Sequence, residues 1–317
     1  MTSVIRTRAL NKIYGRRYAV EQFDWEVAAG SAVAFLGPNG AGKTTMMRLL
    51  LGFAHPTSGT CEVLGSEPWN MPPETRMRLG YVPDELSLPL WVTGNALFDF
   101  HQSVYPKWDG GLERELTNLF QLSLHQQIGQ LSKGQARQVA LVLAICQSPE
   151  LLLLDEPTAG LDVATRRELL GVLSSWLAEE NRSLVLSTHL VNDVERIASH
   201  VCVIQQGQLV ASEELESLKA DIKLIRMSRR TWDMHSARWG HTERLSTQSD
   251  EHQVTLRVRR FDSQIRSLLA QIASRKEAPN STEASDIYVT DSNEEIEVIH
   301  LSLEEIYLAL TSDGESA

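Results

Sequence analysis

Cysteine is scarce in this chain of 317 residues: only Cys61, Cys146 and Cys202 occur, odd in number and far apart. That excludes a disulfide framework and zinc sites built on paired cysteines, and it suits a reducing compartment. The nine histidines form no H-E-x-x-H or comparable cluster, so a metal held by protein side chains alone is not expected. Basic residues are outnumbered, with 30 Lys and Arg against 41 Asp and Glu, and the formal charge is -11. No nucleic-acid partner is therefore expected, because sequence-independent attraction to a phosphate backbone needs an excess of cations. Arg229-Arg230 and Arg259-Arg260 lie in an acidic stretch and read as solvated or ion-paired side chains. No run reaches the roughly 18 apolar residues that cross a bilayer, and Met1-Thr2-Ser3-Val4-Ile5-Arg6 lacks the apolar stretch of a signal peptide. Cytoplasmic placement is the expectation, and the sequons at Asn181 and Asn280 then carry no glycosylation meaning.

What is present suffices for a real core, since 42% of residues are hydrophobic and 22% charged, which allows one large or two modest domains. From Ser3 to Val27 short alternating segments suggest a small antiparallel edge. Ala32-Val33-Ala34-Phe35-Leu36 reads as a buried strand, followed by a helix from Lys43 to Gly52 whose Met46, Met47, Leu49 and Leu50 face a sheet. Residues 97–147 show helical periodicity broken by Tyr105-Pro106-Lys107-Trp108-Asp109-Gly110-Gly111, which predicts a helical insertion over about 85–147. Leu151–Leu154 and Leu184–Leu186, with a helix over 164–179 between them, form a parallel-sheet unit. A domain boundary is expected near Glu213, dividing 1–212 from 213–317. The second part reads as a small α+β appendage with strands at Val254–Val258 and Glu295–Val298 and a soft linker around 278–282. A capping box, Ser302-Leu303-Glu304-Glu305, opens its last helix, with Ile306, Leu308 and Leu310 as the apolar side.

The most informative stretch is Gly37-Pro38-Asn39-Gly40-Ala41-Gly42-Lys43-Thr44-Thr45. It fits Gly, four residues, Gly-Lys-Ser/Thr after a buried strand, the pattern of a phosphate loop. Glycines let the backbone turn tightly so that N–H groups and the helix start face phosphate oxygens, Lys43 adds positive charge, and Thr44 places a hydroxyl on magnesium. Hydrolysis needs a metal holder and a group that handles water, and Asp155-Glu156 offers both at the end of an apolar strand. Two adjacent acids at the mouth of a phosphate site are costly without a cation. Between them, Leu131-Ser132-Lys133-Gly134-Gln135 is a polar glycine turn opening a helix, again with free N–H groups for an anion. Ala159-Gly160-Leu161-Asp162 and Ser187-Thr188-His189 follow.

In that order these motifs resemble the ATP-binding subunit of ABC transporters over Ile5 to about Ser212. The resemblance implies an α/β fold, a P-loop NTPase of the ABC ATPase type with an antiparallel β edge and a helical insertion, binding ATP and Mg2+. It also implies a dimer, homodimeric or heterodimeric, in which ATP lies between the phosphate loop of one subunit and Ser132, Gly134 and Gln135 of the other. Tyr14 would stack on adenine, Asp155 help hold magnesium, Glu156 polarise the attacking water, His189 contact the γ-phosphate and Asp162 couple the paired sites. The partner would be a membrane permease at the cytoplasmic face. Apart from the resemblance, Leu88, Leu90 and Trp91 read either as an exposed apolar docking stripe or as core residues. The likeness extends to ATPases of drug-exporting or antibiotic-responsive permeases, including Phe100 to Asp109.

Two positions depart from the family pattern. Asp84 stands where glutamine is usual; it can approach magnesium but, ionised, donates no hydrogen bond. Lys133 replaces a usual glycine and fits only if its φ is negative. A soluble ABC ATPase acting on nucleic acid or ribosomes is the alternative, but its usual paired cassettes or long coiled coil do not appear. A nucleotide-binding module without turnover would have only Asp84 in its favour.

Overall fold

The computed structural model describes residues 2–179, 181–191, 195–240, 242–277, 285–290 and 295–311. The chain divides into two compact units, Met1–Ser212 and Glu213–Ala317.

In the first unit, β1 (Ser3–Tyr14), β2 (Arg17–Ala28) and β4 (Ser58–Val63) make an antiparallel sheet in the order β2-β1-β4. A six-stranded sheet runs β5-β6-β7-β3-β8-β9, from β3 (Ala32–Leu36), β5 (Leu79–Val82), β6 (Leu151–Asp155), β7 (Ser183–Thr188), β8 (His200–Gln205) and β9 (Gln208–Glu214). β3, β6 and β7 are buried at every position, which is why they read as unbroken apolar runs rather than alternating ones. They run parallel, with Leu36 opposite Thr188 and Asp155 opposite Ser187. Their carboxyl ends therefore emerge along one edge, the place where open α/β sheets bind ligands. Trp25 stacks on Phe35 at 5.2 Å, and Phe23 meets both edge-on, so an aromatic cluster joins the two sheets.

Helix α1 (Lys43–Leu50) lies directly after the phosphate loop and buries Met46 and Met47 completely. It stops at Gly52, whose φ of 74° places it in the left-handed region, while Phe53 N donates to Arg48 O at 2.8 Å; this is the glycine-closed helix end expected from sequence. After the short α2 (Pro73–Arg76) come α3 (Gly94–Val104), α4 (Gly110–Leu119) and α5 (Lys133–Cys146), and then α6 (Val163–Leu177). Asp109 caps α4 by accepting from Gly111 N and Leu112 N, both at 2.9 Å. All three cysteines are buried and unpaired, and burial pushes their thiols up, Cys61 to about 12.

The second unit holds a six-stranded antiparallel sheet, more than the two strands expected there. Its order is β11-β12-β10-β15-β14-β13, from β10 (Lys223–Ser228), β11 (Glu243–Ser249), β12 (Gln253–Arg259), β13 (Ala273–Glu277), β14 (Ser285–Thr290) and β15 (Glu295–His300). Helices α7 (Leu215–Asp221), α8 (Arg229–His235), α9 (Ser263–Ile272) and α10 (Leu303–Thr311) accompany it. Val254, Leu256, Val258, Ile296 and Val298 alternate into a core around Trp239. The linker proposed over 278–282, with Asn280, lies outside the described residues.

The capping box of α10 forms, Glu305 Oε2 accepting from Ser302 N at 2.8 Å. Its buried side differs from the expectation, being Leu303, Ile306 and Ala309, with Leu308 exposed. Residues two apart lie on opposite sides of a helix, whereas steps of three share one. Within the two Arg-Arg pairs, Arg229 is ion-paired with Asp233, Arg259 with Glu213 and Asp221, and Arg260 with Glu243. Among the described residues no helix is long and apolar enough to cross a membrane.

Candidate nucleotide site

Between β3 and α1 the chain makes a tight cradle, with Ala41 N donating to Pro38 O at 3.1 Å. Gly42 has a φ of 114°, and a Cβ there would stand 2.3 Å from Ala19 O; only glycine fits both demands. Lys43 is buried, its Nζ donating to Gly37 O at 2.6 Å and lying 3.4 Å from Glu156 Oε1. The cradle opens on a cavity of about 390 Å3 lined by Pro38, Asn39, Gly40, Gly42, Lys43, Thr44 and Thr45, and by Tyr14, Arg17, Asp84 and Glu156.

Tyr14, at the end of β1, is half exposed, with Lys12 Nζ 5.0 Å from its ring centroid. A cation on one face leaves the other for a flat aromatic ligand. Asp155 is buried at the end of β6, and its Oδ1 accepts the Ser187 hydroxyl. Oδ2 has no hydrogen-bond partner in the protein. Burial raises the Asp155 carboxyl above its ordinary value, Asp84 and Glu156 push the same way, and the Ser187 and Thr44 hydroxyls work against them. An orphaned carboxylate oxygen near a threonine hydroxyl and facing other acids is a set of hard oxygen donors suited to a magnesium ion.

Glu156 has a φ of 48° and is nearly buried. A non-glycine residue in that region carries strain that surrounding contacts must hold. Ser187 O accepts from Glu156 N at 3.0 Å, and Glu156 Oε2 lies 2.9 Å from His189 Nδ1. One carboxylate thus stands between Lys43 and His189.

Other motif residues do not line this cavity. Ser132 is the N-cap of α5 and forms a capping box with Gln135, Ser132 Oγ accepting from Gln135 N at 3.2 Å and Gln135 Oε1 from Ser132 N at 3.0 Å. Helix α5 starts at Lys133, earlier than the polar turn suggests, because this box satisfies its first N–H groups. Lys133 is not among the residues with positive φ, so the turn accepts it, and Gly134 follows within the first turn. Asp162 caps α6, accepting from Ala164 N and Thr165 N at 3.0 Å, and the hydrogen bonds from Thr165 and Ala164 lower its carboxyl.

Two site residues, Arg17 and Arg137, escape a motif search, and Ser187 has a role its motif does not state. Arg17 lines the cavity and donates to Gly40 O at 3.1 Å. Ser187 holds both Asp155 and Glu156. Arg137, one turn into α5, reaches Asp84, Glu156 and Ala159. Each acts largely through backbone oxygens or a neighbouring acid, which leave no spacing signature.

A family model described as ABC transporter matches residues 20–159. The Nod factor export ATP-binding protein I of Cupriavidus metallidurans is 35% identical over 216 residues, covering 67% of this chain and 71% of that one. The bacitracin transport ATP-binding protein BcrA of Bacillus licheniformis is 31% identical over 235 residues, covering 69% and 72%. A solved ATP-binding subunit of an ABC transporter superposes with a TM-score of 0.63 at 26% identity, over 68% of this chain and 92% of that one. A dimeric ATP-binding cassette bound to ADP and Pi shares the fold, with a TM-score of 0.58 at 23% identity over 67% and 98%. A phosphate loop on a parallel sheet, faced by an Asp-Glu strand end, defines a P-loop ATPase. The chain belongs to the ATP-binding subunits of ABC transporters, which hydrolyse ATP to drive transport.

Proposed function

We propose that this chain energises export through a separate membrane permease, sitting at the cytoplasmic face and working as a dimer of cassettes, with itself or a close relative. The name of the Nod factor export relative supports the export direction. The exposed Leu90 and Trp91, with the half-buried Leu88, supply an apolar docking stripe of the kind that marks protein contacts.

The observation that carries the hydrolytic reading is Glu156, held between Lys43 and His189 at the cavity. Entry of triphosphate draws Lys43 onto the phosphate oxygens, which frees Glu156 to accept a hydrogen bond from the attacking water and take its proton. His189 then contacts the γ-phosphate. Backbone N–H groups between Asn39 and Thr45 cradle the phosphates, and Tyr14 stacks on adenine. Thr44 and the buried Asp155 would hold a magnesium ion, which would supply positive charge against that of the phosphates. Asp84 faces Arg137 at 3.4 Å, so we assign its carboxylate to that contact rather than to the metal. Ser132, Gly134 and Gln135 complete the partner's site, and Asp162 couples the two sites.

The purified protein is expected to hydrolyse ATP with magnesium, and Glu156→Gln to bind ATP, cease turnover and accumulate as a dimer in gel filtration. Equal rates in both would remove Glu156 from the reaction.

A further inference from the structure

Arg137 is more than nine-tenths buried, at 8% exposure, and the carboxylate the structure sets against it, Asp84, stands 3.4 Å away. Its guanidinium is taken up mainly by backbone oxygens. One nitrogen donates to Glu156 O, in a short contact, and to Ala159 O at 3.3 Å. The other donates to Asp84 O at 2.5 Å and lies 3.4 Å from Asp84 Oδ1. Three segments therefore close on one planar fork: the stretch after β5, the end of β6, and the turn leading to Asp162.

The backbone at Glu156 explains why such a fork is needed. Its φ of 48° is a conformation that neighbours must enforce. Ser187 O fixes the peptide before Glu156 through its N–H, and Arg137 fixes the peptide after it through its carbonyl. With both peptides held, the Cα–Cβ direction is set, and the carboxylate points between Lys43 and His189. Asp84 shares the same guanidinium and lies a few residues before Leu88, Leu90 and Trp91. A shift of that exposed segment therefore reaches the Glu156 peptide through a single side chain. Only arginine offers several donors in a rigid plane.

We infer that Arg137 is a positioning residue for hydrolysis, holding Glu156 in its productive direction and tying it to Asp84. The inference rests on the reading of Glu156 as the group that handles water.

Steady-state ATPase and equilibrium Mg-ATP binding of wild type, Arg137→Ala, Arg137→Lys and Asp84→Ala test it, with Glu156→Gln as reference and a thermal melt of each. Arg137→Ala is expected to lose on the order of 10- to 100-fold in kcat, the scale of a small misplacement of a reacting group, with Mg-ATP affinity unchanged. Arg137→Lys keeps the charge but not the fork, so its kcat is expected between wild type and Arg137→Ala, with an unchanged melting temperature; it decides the matter if Arg137→Ala does not fold. Asp84→Ala keeps its carbonyl and is expected to lose less than Arg137→Ala. Wild-type kcat in Arg137→Lys together with wild-type kcat or no folding in Arg137→Ala, or a loss of affinity that accounts for the whole loss in kcat/KM, overturns the proposal. If Glu156→Gln hydrolyses like wild type, the underlying reading has failed; if it is silent while both Arg137 variants turn over normally, only this inference has.

Discussion

Lys43 Nζ lies 3.4 Å from Glu156 Oε1, and the two side chains are 7% and 11% exposed. Neither charge could sit there alone, because a desolvated ion without a partner costs several kcal/mol. The lysine also donates to Gly37 O, so one carboxylate and one carbonyl fix its charge at the phosphate loop. If Glu156 handles water, as proposed, triphosphate drawing on Lys43 would release that carboxylate.

Removal of that cation should therefore be felt twice. Lys43→Ala is expected to lose Mg-ATP binding, read by a fluorescent ATP analogue, and also to destabilise the nucleotide-free protein by about 1–3 kcal/mol, because Glu156 then keeps only His189 beside it. A urea melt of Lys43→Ala against the double variant with Glu156→Gln checks the second part, since the double variant should recover much of the loss.

Asp155 gives the opposite sign. Its carboxyl is raised by burial above the ordinary value near 3.8, so the folded state holds its proton more tightly than the unfolded chain. Stability from this group falls as pH rises from the ordinary carboxylate value to the raised one, and stays lower above it. Asp155→Asn is therefore expected to be more stable than wild type without nucleotide at neutral pH, by roughly 1 kcal/mol, at the cost of activity. Melting temperatures with and without Mg-ATP test this, because magnesium should raise that of wild type more than that of the variant.

The legibility of these features follows from where their partners lie. β3, β6 and β7 stand out because burial on both faces makes them continuous apolar runs, and the loop and acids at their ends have fixed local spacing. β10, Lys-Leu-Ile-Arg-Met-Ser, and β11, Glu-Arg-Leu-Ser-Thr-Gln-Ser, break the alternation, and β10 pairs with β15 some 70 residues later, as in Leu224 with Ile299. Arg137 carries no sequence signature because its partners are chiefly carbonyl oxygens, which every residue owns. Ser132 and Gln135 were legible as a turn but not as a cap, since the polar pentapeptide fits both.

Tyr14 carries a prediction that separates affinity from rate. With Lys12 on one face of the ring, stacking on a base is worth about 1–3 kcal/mol. Tyr14→Ala is expected to weaken ATP binding roughly tenfold or more on that scale and to leave kcat at saturation unchanged, whereas Tyr14→Phe keeps both. Unchanged affinity in Tyr14→Ala would take the residue off the adenine.

Ser132 has two duties that a single alanine would confuse. As the N-cap of α5 it accepts from Gln135 N, and its loss costs about 1 kcal/mol whatever happens to nucleotide. Aspartate caps as well as serine but sets a negative charge where a partner's phosphates would lie. Ser132→Asp is therefore expected to melt like wild type and, because Ser132 does not line the cavity of its own subunit, to bind Mg-ATP normally as a monomer. Its ATP-driven dimer and its ATPase should nevertheless be lost, seen by gel filtration with ATP and by phosphate release. Normal turnover in Ser132→Asp would mean that Ser132 serves only the helix, and that the paired site is built from other residues.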